Sequence, residues 1–315
     1  NNLGVRVAKL EANASSVKVS GDLRIRYTHT NNDSDNTKLR LGVNFGANVN
    51  DNVAFNGRII GESKYANDDL GNYDGKFTVE QAYVTVKDLG GVNFKVGRQP
   101  LYLGQGILYD ADYFDGGLVT FGNALKVSLG YGDIGIKATP IFKVADPNYN
   151  TYDSYPVSVL NLSYDATSNL NLTAAALYSN TQSYANFDGK KHEWQAYGLN
   201  YKMGEDFSLV GEFVRDANAD NDKDGWYAQV NYKGANKSVP GSYGLYAGYI
   251  NADKNAYDGD LTTLNGGPDH KGLIGGFSYT VGKNIIWSGD VVDGKYTSDN
   301  SDKDTWWRTT VKFWF

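Results

Sequence analysis

The chain has no cysteine, one methionine and only six prolines in 315 residues. Without cysteine there are no disulfides, no thiolate metal ligands and no sulfur nucleophile. There is no run of about twenty apolar residues, which excludes a transmembrane helix. Basic residues are not in excess: 30 Lys and Arg stand against 36 Asp and Glu, a net charge of −6. A nucleic-acid partner would need clustered Lys and Arg, so this balance argues against one. The Leu- and Ala-rich helical stretches usual in a soluble enzyme of this size are few. His29, His192 and His270 sit at the edges of predicted loops without a triad-like grouping, so nothing points to an enzyme. No cofactor is indicated, because the glycines fall in turns and strands and not in a phosphate-cradling loop.

Glycine (37), tyrosine (24) and phenylalanine (13) are abundant instead. From Val17 the apolar period is two: Val17, Val19, Leu23, Ile25 and Tyr27 alternate with Lys18, Ser20, Asp22, Arg24 and Arg26. Leu39, Leu41, Val43 and Phe45 repeat it against Lys38, Arg40 and Asn44, and the pattern recurs to Phe315. The connections sort by length. Residues 50–52, 88–91, 123–124, 165–168, 204–206 and 282–283 are tight and rich in Gly, Asn and Asp, as hairpin turns require. Between them lie longer polar stretches at 65–76, 100–115, 134–156, 181–191, 251–270 and 295–303. Two connections on the long side, 31–37 and 218–224, are shorter, and the turn 235–241 is longer than its class. A membrane barrel sorts loops in this way, with short turns on the periplasmic side and long loops outside. The reading is an all-β fold: a transmembrane antiparallel β-barrel of about sixteen strands, porin-like, with an inward-folded third loop.

The aromatic residues support lipid on the apolar face. Trp226, Ala228, Val230 and Tyr232 share one face, as do Tyr243, Leu245, Ala247 and Tyr249, with aromatics near both ends of each row. Such rows resemble the girdles that border a bilayer. A soluble all-β protein with aromatic cross-strand pairs is the alternative, and it leaves the loop sorting to chance. Trp307, Thr309, Val311, Phe313 and Phe315 close the chain on one face, with Phe313 and Phe315 as a candidate barrel-assembly signal.

A barrel of about sixteen strands encloses a lumen too wide for wall side chains to fill, so something must narrow it. Segment 100–115 is more apolar than the other loops. Folded inward and pinned by Tyr102, Leu103, Ile107, Leu108 and Tyr109, it would present Asp110, Asp112 and Asp115 at the lumen. An apolar external loop used in subunit contacts is the plainer alternative. The early strands offer a basic wall opposite: Lys18, Arg24, Arg26, Lys38, Arg40, Arg58, Lys95 and Arg98. Strict alternation turns Arg98 outward, so its place in that wall implies a bulge. Acidic loop against basic wall would set a transverse field across the neck, or the charges would only solvate the lumen. Asp220, Asp222 and Asp224, followed by Gly225, match the first half of a calcium loop. Asn231 at the twelfth position and a following strand favour a solvated hairpin tip without metal.

Residues 1–16 read separately. The chain starts without Met, as after removal of an export signal. Leu3, Val7 and Leu10 have the spacing of a coiled-coil seam, the end of a stalk or a short helical plug, leaving 17–315 as the barrel domain.

The run from Val17 to Tyr27, the Lys95 to Pro100 step into a long loop, and the terminal Phe315 resemble the barrel of OmpM-type outer-membrane porins of diderm Firmicutes such as Negativicutes. The resemblance implies a homotrimer in the outer membrane, in contact with lipopolysaccharide and inserted by the barrel assembly machinery. It also implies a tether to the cell wall through an N-terminal domain that these residues do not include. The expected function is general diffusion of ions and small hydrophilic solutes. A structural anchor with little permeation and a substrate-specific channel are the alternatives. Tyr227 and Tyr246, the inward aromatic candidates, are too few for a ladder along the lumen.

Overall fold

A computed structural model describes residues 17–31, 33–65, 76–134, 155–180 and 190–315. The helical reading of Leu3, Val7 and Leu10 lies outside these residues, as do most of the loops 65–76, 134–156 and 181–191. The strands are β1 Val17–Thr30, β2 Asp33–Asn48, β3 Val53–Tyr65, β4 Lys76–Leu89, β5 Val92–Leu103, β6 Tyr109–Phe121, β7 Leu125–Asp133 and β8 Pro156–Asp165. They continue with β9 Leu170–Ser179, β10 Glu193–Met203, β11 Phe207–Asp216, β12 Asp224–Lys233, β13 Tyr243–Ala252, β14 His270–Gly282, β15 Ile285–Lys295 and β16 Asp302–Trp314. Each pairs antiparallel with its sequence neighbours, and β1 pairs with β16 to close the barrel. Closure leaves no sheet edge, so the strands' backbone donors and acceptors pair with neighbouring strands except where a ladder shifts register.

Period-two alternation sets the two faces. Outward positions expose large apolar side chains, Leu273 to 64 %, Val96 to 61 % and Leu245 to 50 %, over a wider area than soluble monomers commonly show. At the short-turn end Phe207, Tyr232 and Tyr243 follow one another across adjacent strands, with ring centroids 4.8 and 6.2 Å apart. At the long-loop end Tyr197, Phe213, Trp226 and Tyr249 do the same, and the Trp226 and Tyr249 rings lie 5.8 Å apart. The aromatic rows lie near the two ends of these strands with aliphatic residues between them, the arrangement expected of girdles at a bilayer's borders.

The seam is sealed by the last residue. The Phe315 amide donates to the Gly21 carbonyl at 3.0 Å and the Gly21 amide donates to the Phe315 carbonyl at 2.8 Å. The Phe315 ring covers Gly21, where an added Cβ would lie 2.4 Å from Phe315 Cζ and 2.5 Å from the Gly42 oxygen. Phe313, on the same outward face, pairs with Leu23 and Ile285.

The strands run further than alternation predicts. β2 begins at Asp33, inside the connection expected at 31–37, and Thr30 pairs with Asp33. Most of the loop expected at 100–115 is hairpin, since β5 reaches Leu103 and β6 starts at Tyr109. Gly21→Val overpacks the seam, a change that costs about 1–3 kcal/mol. We expect it to lower the temperature at which the folded, heat-modifiable form is lost, measured by seminative gel electrophoresis and circular dichroism; an unchanged melt would contradict this seal.

Candidate pore constriction

The β5–β6 hairpin leaves the wall where its ladder breaks. Register shifts between Gln99 and Leu101, then resumes with Leu101 opposite Ala111 and Leu103 opposite Tyr109. Gly104 (φ +61°) and Gly106 (φ +98°) turn the tip. Leu101, Leu103, Ile107, Leu108 and Tyr109 are buried against Val157, Leu177, Trp194, Ala196 and Val214 of the opposite wall. Each apolar side chain so buried contributes about 1.5–3 kcal/mol. The expected inward fold is therefore present, with one correction among its pinning residues. Tyr102 is 52 % exposed, because it lies on the other face of the hairpin ribbon.

The tip is also held by polar contacts. Glu212 on β11 accepts the amides of Gln105 and Ile107 at 2.6 and 2.7 Å. Asn161 accepts the Gly104 amide at 3.0 Å, and the Tyr227 hydroxyl donates to the Gln105 carbonyl at 3.0 Å. Tyr227 and Tyr246 both face inward as expected. Tyr246 donates to Asp290 at 2.6 Å.

A second loop also enters the lumen. Residues 253–269, expected to lie outside, bury Ala256, Tyr257 and Leu261, the last in a short 3₁₀ turn, Gly259–Leu261. The Thr262 hydroxyl donates to the Gly106 carbonyl at 2.5 Å, and the Thr263 hydroxyl donates to Asp110. The root of the loop wraps Lys303, whose Nζ donates to the carbonyls of Gly266, Pro268 and Asp269 at 3.3, 2.7 and 3.0 Å. His270, expected to be solvated at a loop edge, is buried beneath this root. Among the described residues, the two loops pack their apolar side chains on the β7–β15 side of the lumen, the second also reaching Lys303 and Arg308 of β16, and charged residues line the strip from β16 through β4.

That strip carries the charge. Glu80 sits between Arg40 and Arg58, with Arg58 Nε at 2.6 Å. Asp22 takes Arg58 at 2.7 Å and Lys312 at 3.4 Å, and Glu62 takes Arg24 at 3.2 Å and Lys38 at 3.6 Å. Asp290 accepts Arg308 at 2.6 Å. Arg24, Arg26, Lys38, Arg40 and Arg58 lie together on this strip, and the carboxylates paired with Arg24, Lys38, Arg40 and Arg58 are mostly strand residues and not the loop. Asp112 is the one loop carboxylate that reaches it, 4.0 Å from Arg40 and 3.3 Å from Gln81. Asp110 is turned to the second loop. Lys95 lines a 370 Å³ recess beneath the hairpin with Tyr102, Asp110, Asp112 and Asn161. Lys18 lies on the lumen face opposite Gly46, near the short-turn end.

Asp115 and Arg98 do not belong to the neck. They stand opposite each other, joined by two hydrogen bonds of 2.7 and 2.6 Å, at the outward parity of Val96 and Val119. The ladder shift comes only after Gln99, so no bulge turns Arg98 inward. Asp22, Glu62, Glu80, Asp290, Arg308 and Lys312 complete the charged cluster, and the alternation that places Arg24 inward places Asp22 beside it. Asp220, Asp222 and Asp224 each face a different cation, Lys190, Lys254 and Arg215. Among the described residues no three metal-ligating side chains group together.

No protein-family model and no curated protein matches the chain. Solved structures do. A double variant of the Rh. blastica porin superposes with a TM-score of 0.59 at 13% identity, covering 95% of this chain and 100% of that one. A triple variant of the Rhodopseudomonas blastica porin gives 0.58, with the same identity and coverage. These likenesses show the fold, a porin-type barrel of sixteen strands.

Glu212→Ala would leave two buried amides without an acceptor, each worth about 1–3 kcal/mol. We expect the barrel to fold and the hairpin tip to loosen, read as faster protease cleavage near residues 104–108 and noisier single-channel current. Wild-type protection would show that apolar packing alone holds the tip.

Proposed function

We propose that this chain is an outer-membrane general diffusion porin, passing ions and small hydrophilic solutes along the charged strip between β16 and β4. One observation carries the reading. Among the described residues the two inward loops bury their apolar side chains against the β7–β15 side, and the strip beside them bears guanidinium, ammonium and carboxylate groups facing a lumen. Such a wall suits hydrated solutes and gives apolar ones no surface to bind. The neck's field is built mainly within the wall, with Asp112 adding the loop's share. The outward apolar band and aromatic girdles support insertion in a lipid bilayer.

The resemblance to OmpM-type porins extends the proposal to a homotrimer in contact with lipopolysaccharide, inserted by the barrel assembly machinery and tethered to the cell wall by a further N-terminal domain. The anchor reading has one specific support, the amount of lumen that the two loops occupy. Planar-bilayer recording separates the two. We expect large conductance steps, grouped in threes for a trimer, and a changed reversal potential under a salt gradient for Asp112→Asn. A folded, heat-modifiable barrel without conductance would overturn the diffusion reading and favour the anchor.

A further inference from the structure

The strip holds more positive charge than its own carboxylates neutralise. In register across the strands, Arg24 stands directly between Lys312 and Arg40, and Arg26 stands between Thr310 and Lys38. Like charges directly opposite one another destabilise a sheet, so this arrangement calls for compensation. Glu62 is shared by Arg24 and Lys38, Glu80 by Arg40 and Arg58, and Asp22 by Arg58 and Lys312. Arg308 has Asp290. Arg26 has no carboxylate within ion-pair distance among the described residues. Its Nε donates to the Thr310 hydroxyl at 3.2 Å, which fixes the guanidinium by a neutral partner. The Nε atoms of Arg24 and Arg40 are buried and likewise have no acceptor among the described residues.

Arg308 is held rigidly nearby. Asp290 and Asn265 accept its hydrogen bonds at 2.6 and 2.9 Å, and its guanidinium lies 5.0 Å from the Trp306 ring. Thr28 is its register partner, so Arg308 is the diagonal neighbour of Arg26 across the β1–β16 seam. Diagonal neighbours lie about 7–8 Å apart, a span that two long guanidinium side chains can close around one small anion.

We propose that Arg26, with Arg24 and Arg308 beside it, forms an oxyanion subsite that binds the phosphate or carboxylate group of a solute in transit. The inference rests on the porin reading for the words "in transit" and on the wall geometry alone for binding. It makes the channel anion-preferring, with a saturable step for small phosphates and carboxylates.

Inorganic phosphate is the probe. The folded, detergent-solubilised protein is titrated calorimetrically and by tryptophan fluorescence, since Trp306 reports on Arg308; chloride current is recorded with added phosphate in parallel. Saturable phosphate binding is expected, weakened about ten-fold in Arg26→Gln, as loss of a charge-assisted contact implies, and partly restored in Arg26→Lys. Thr310→Glu supplies an internal carboxylate to Arg26 and is expected to abolish binding, which keeps the test open if Arg26→Gln misfolds. Absent saturable binding in the wild type, or equal affinity in wild type and Arg26→Gln, would overturn the subsite. Phosphate binding without conductance would support the subsite and sink the porin reading, so the two failures are distinguishable.

Discussion

A single carboxylate on the far wall, Glu212, takes two amides from the tip of the β5–β6 hairpin. Much of the lumen's shape depends on that contact. A barrel that must satisfy every backbone group in lipid has to close, and at sixteen strands closure leaves a space its own side chains cannot fill. The hairpin fills part of it, but its tip brings amide groups into an apolar cluster where water cannot serve them. Glu212 serves them, and the Gly106 carbonyl left on the other side takes the Thr262 hydroxyl of the second loop. One docked loop thereby becomes the floor for the next. A Cβ at Gly104 would lie 1.8 Å from Glu212 Oε1, so the tip's glycine is part of the same contact.

With one side of the lumen occupied, the remaining strip must stay wetted. Its charges are paired in chains, with single carboxylates bridging two cations. Burying such groups costs several kcal/mol per ion, which only good geometry and shared partners offset. Glu80 and Asp22 are almost fully enclosed by their partners, while Asp112 remains 54 % exposed in its side chain. The rigid part of the field therefore lies in the wall, and the loop adds a more accessible charge beside it.

Alternation and loop length made the barrel legible in the sequence, because both are local consequences of strand geometry. The inward hairpin was legible too, since Leu103, Ile107, Leu108 and Tyr109 are too apolar for a free loop. Contacts that join distant parts of the chain were not. Glu212 lies 107 and 105 residues from the amides it accepts, and nothing around it distinguishes it from any other lumen carboxylate. The loop 253–269 reads as polar because its buried residues, Ala256, Tyr257 and Leu261, have no period. Glu80 depends on a pairing shift between Arg58 and Ile59 that lets it and Gln81 both serve the lumen. For Arg98 simple alternation holds, because the ladder shift comes only after Gln99.

The absence of cysteine allows a direct test of the partitioned lumen. Single cysteines at Ser20, exposed on the lumen face of β1, and at Ala175, buried behind the docked loops, are treated with a charged, membrane-impermeant thiosulfonate during bilayer recording. A partitioned lumen predicts rapid current block for Ser20→Cys and protection of Ala175→Cys. Equal, rapid block at both positions would show that solute passes on the loop side as well, and would contradict a passage confined to the charged strip.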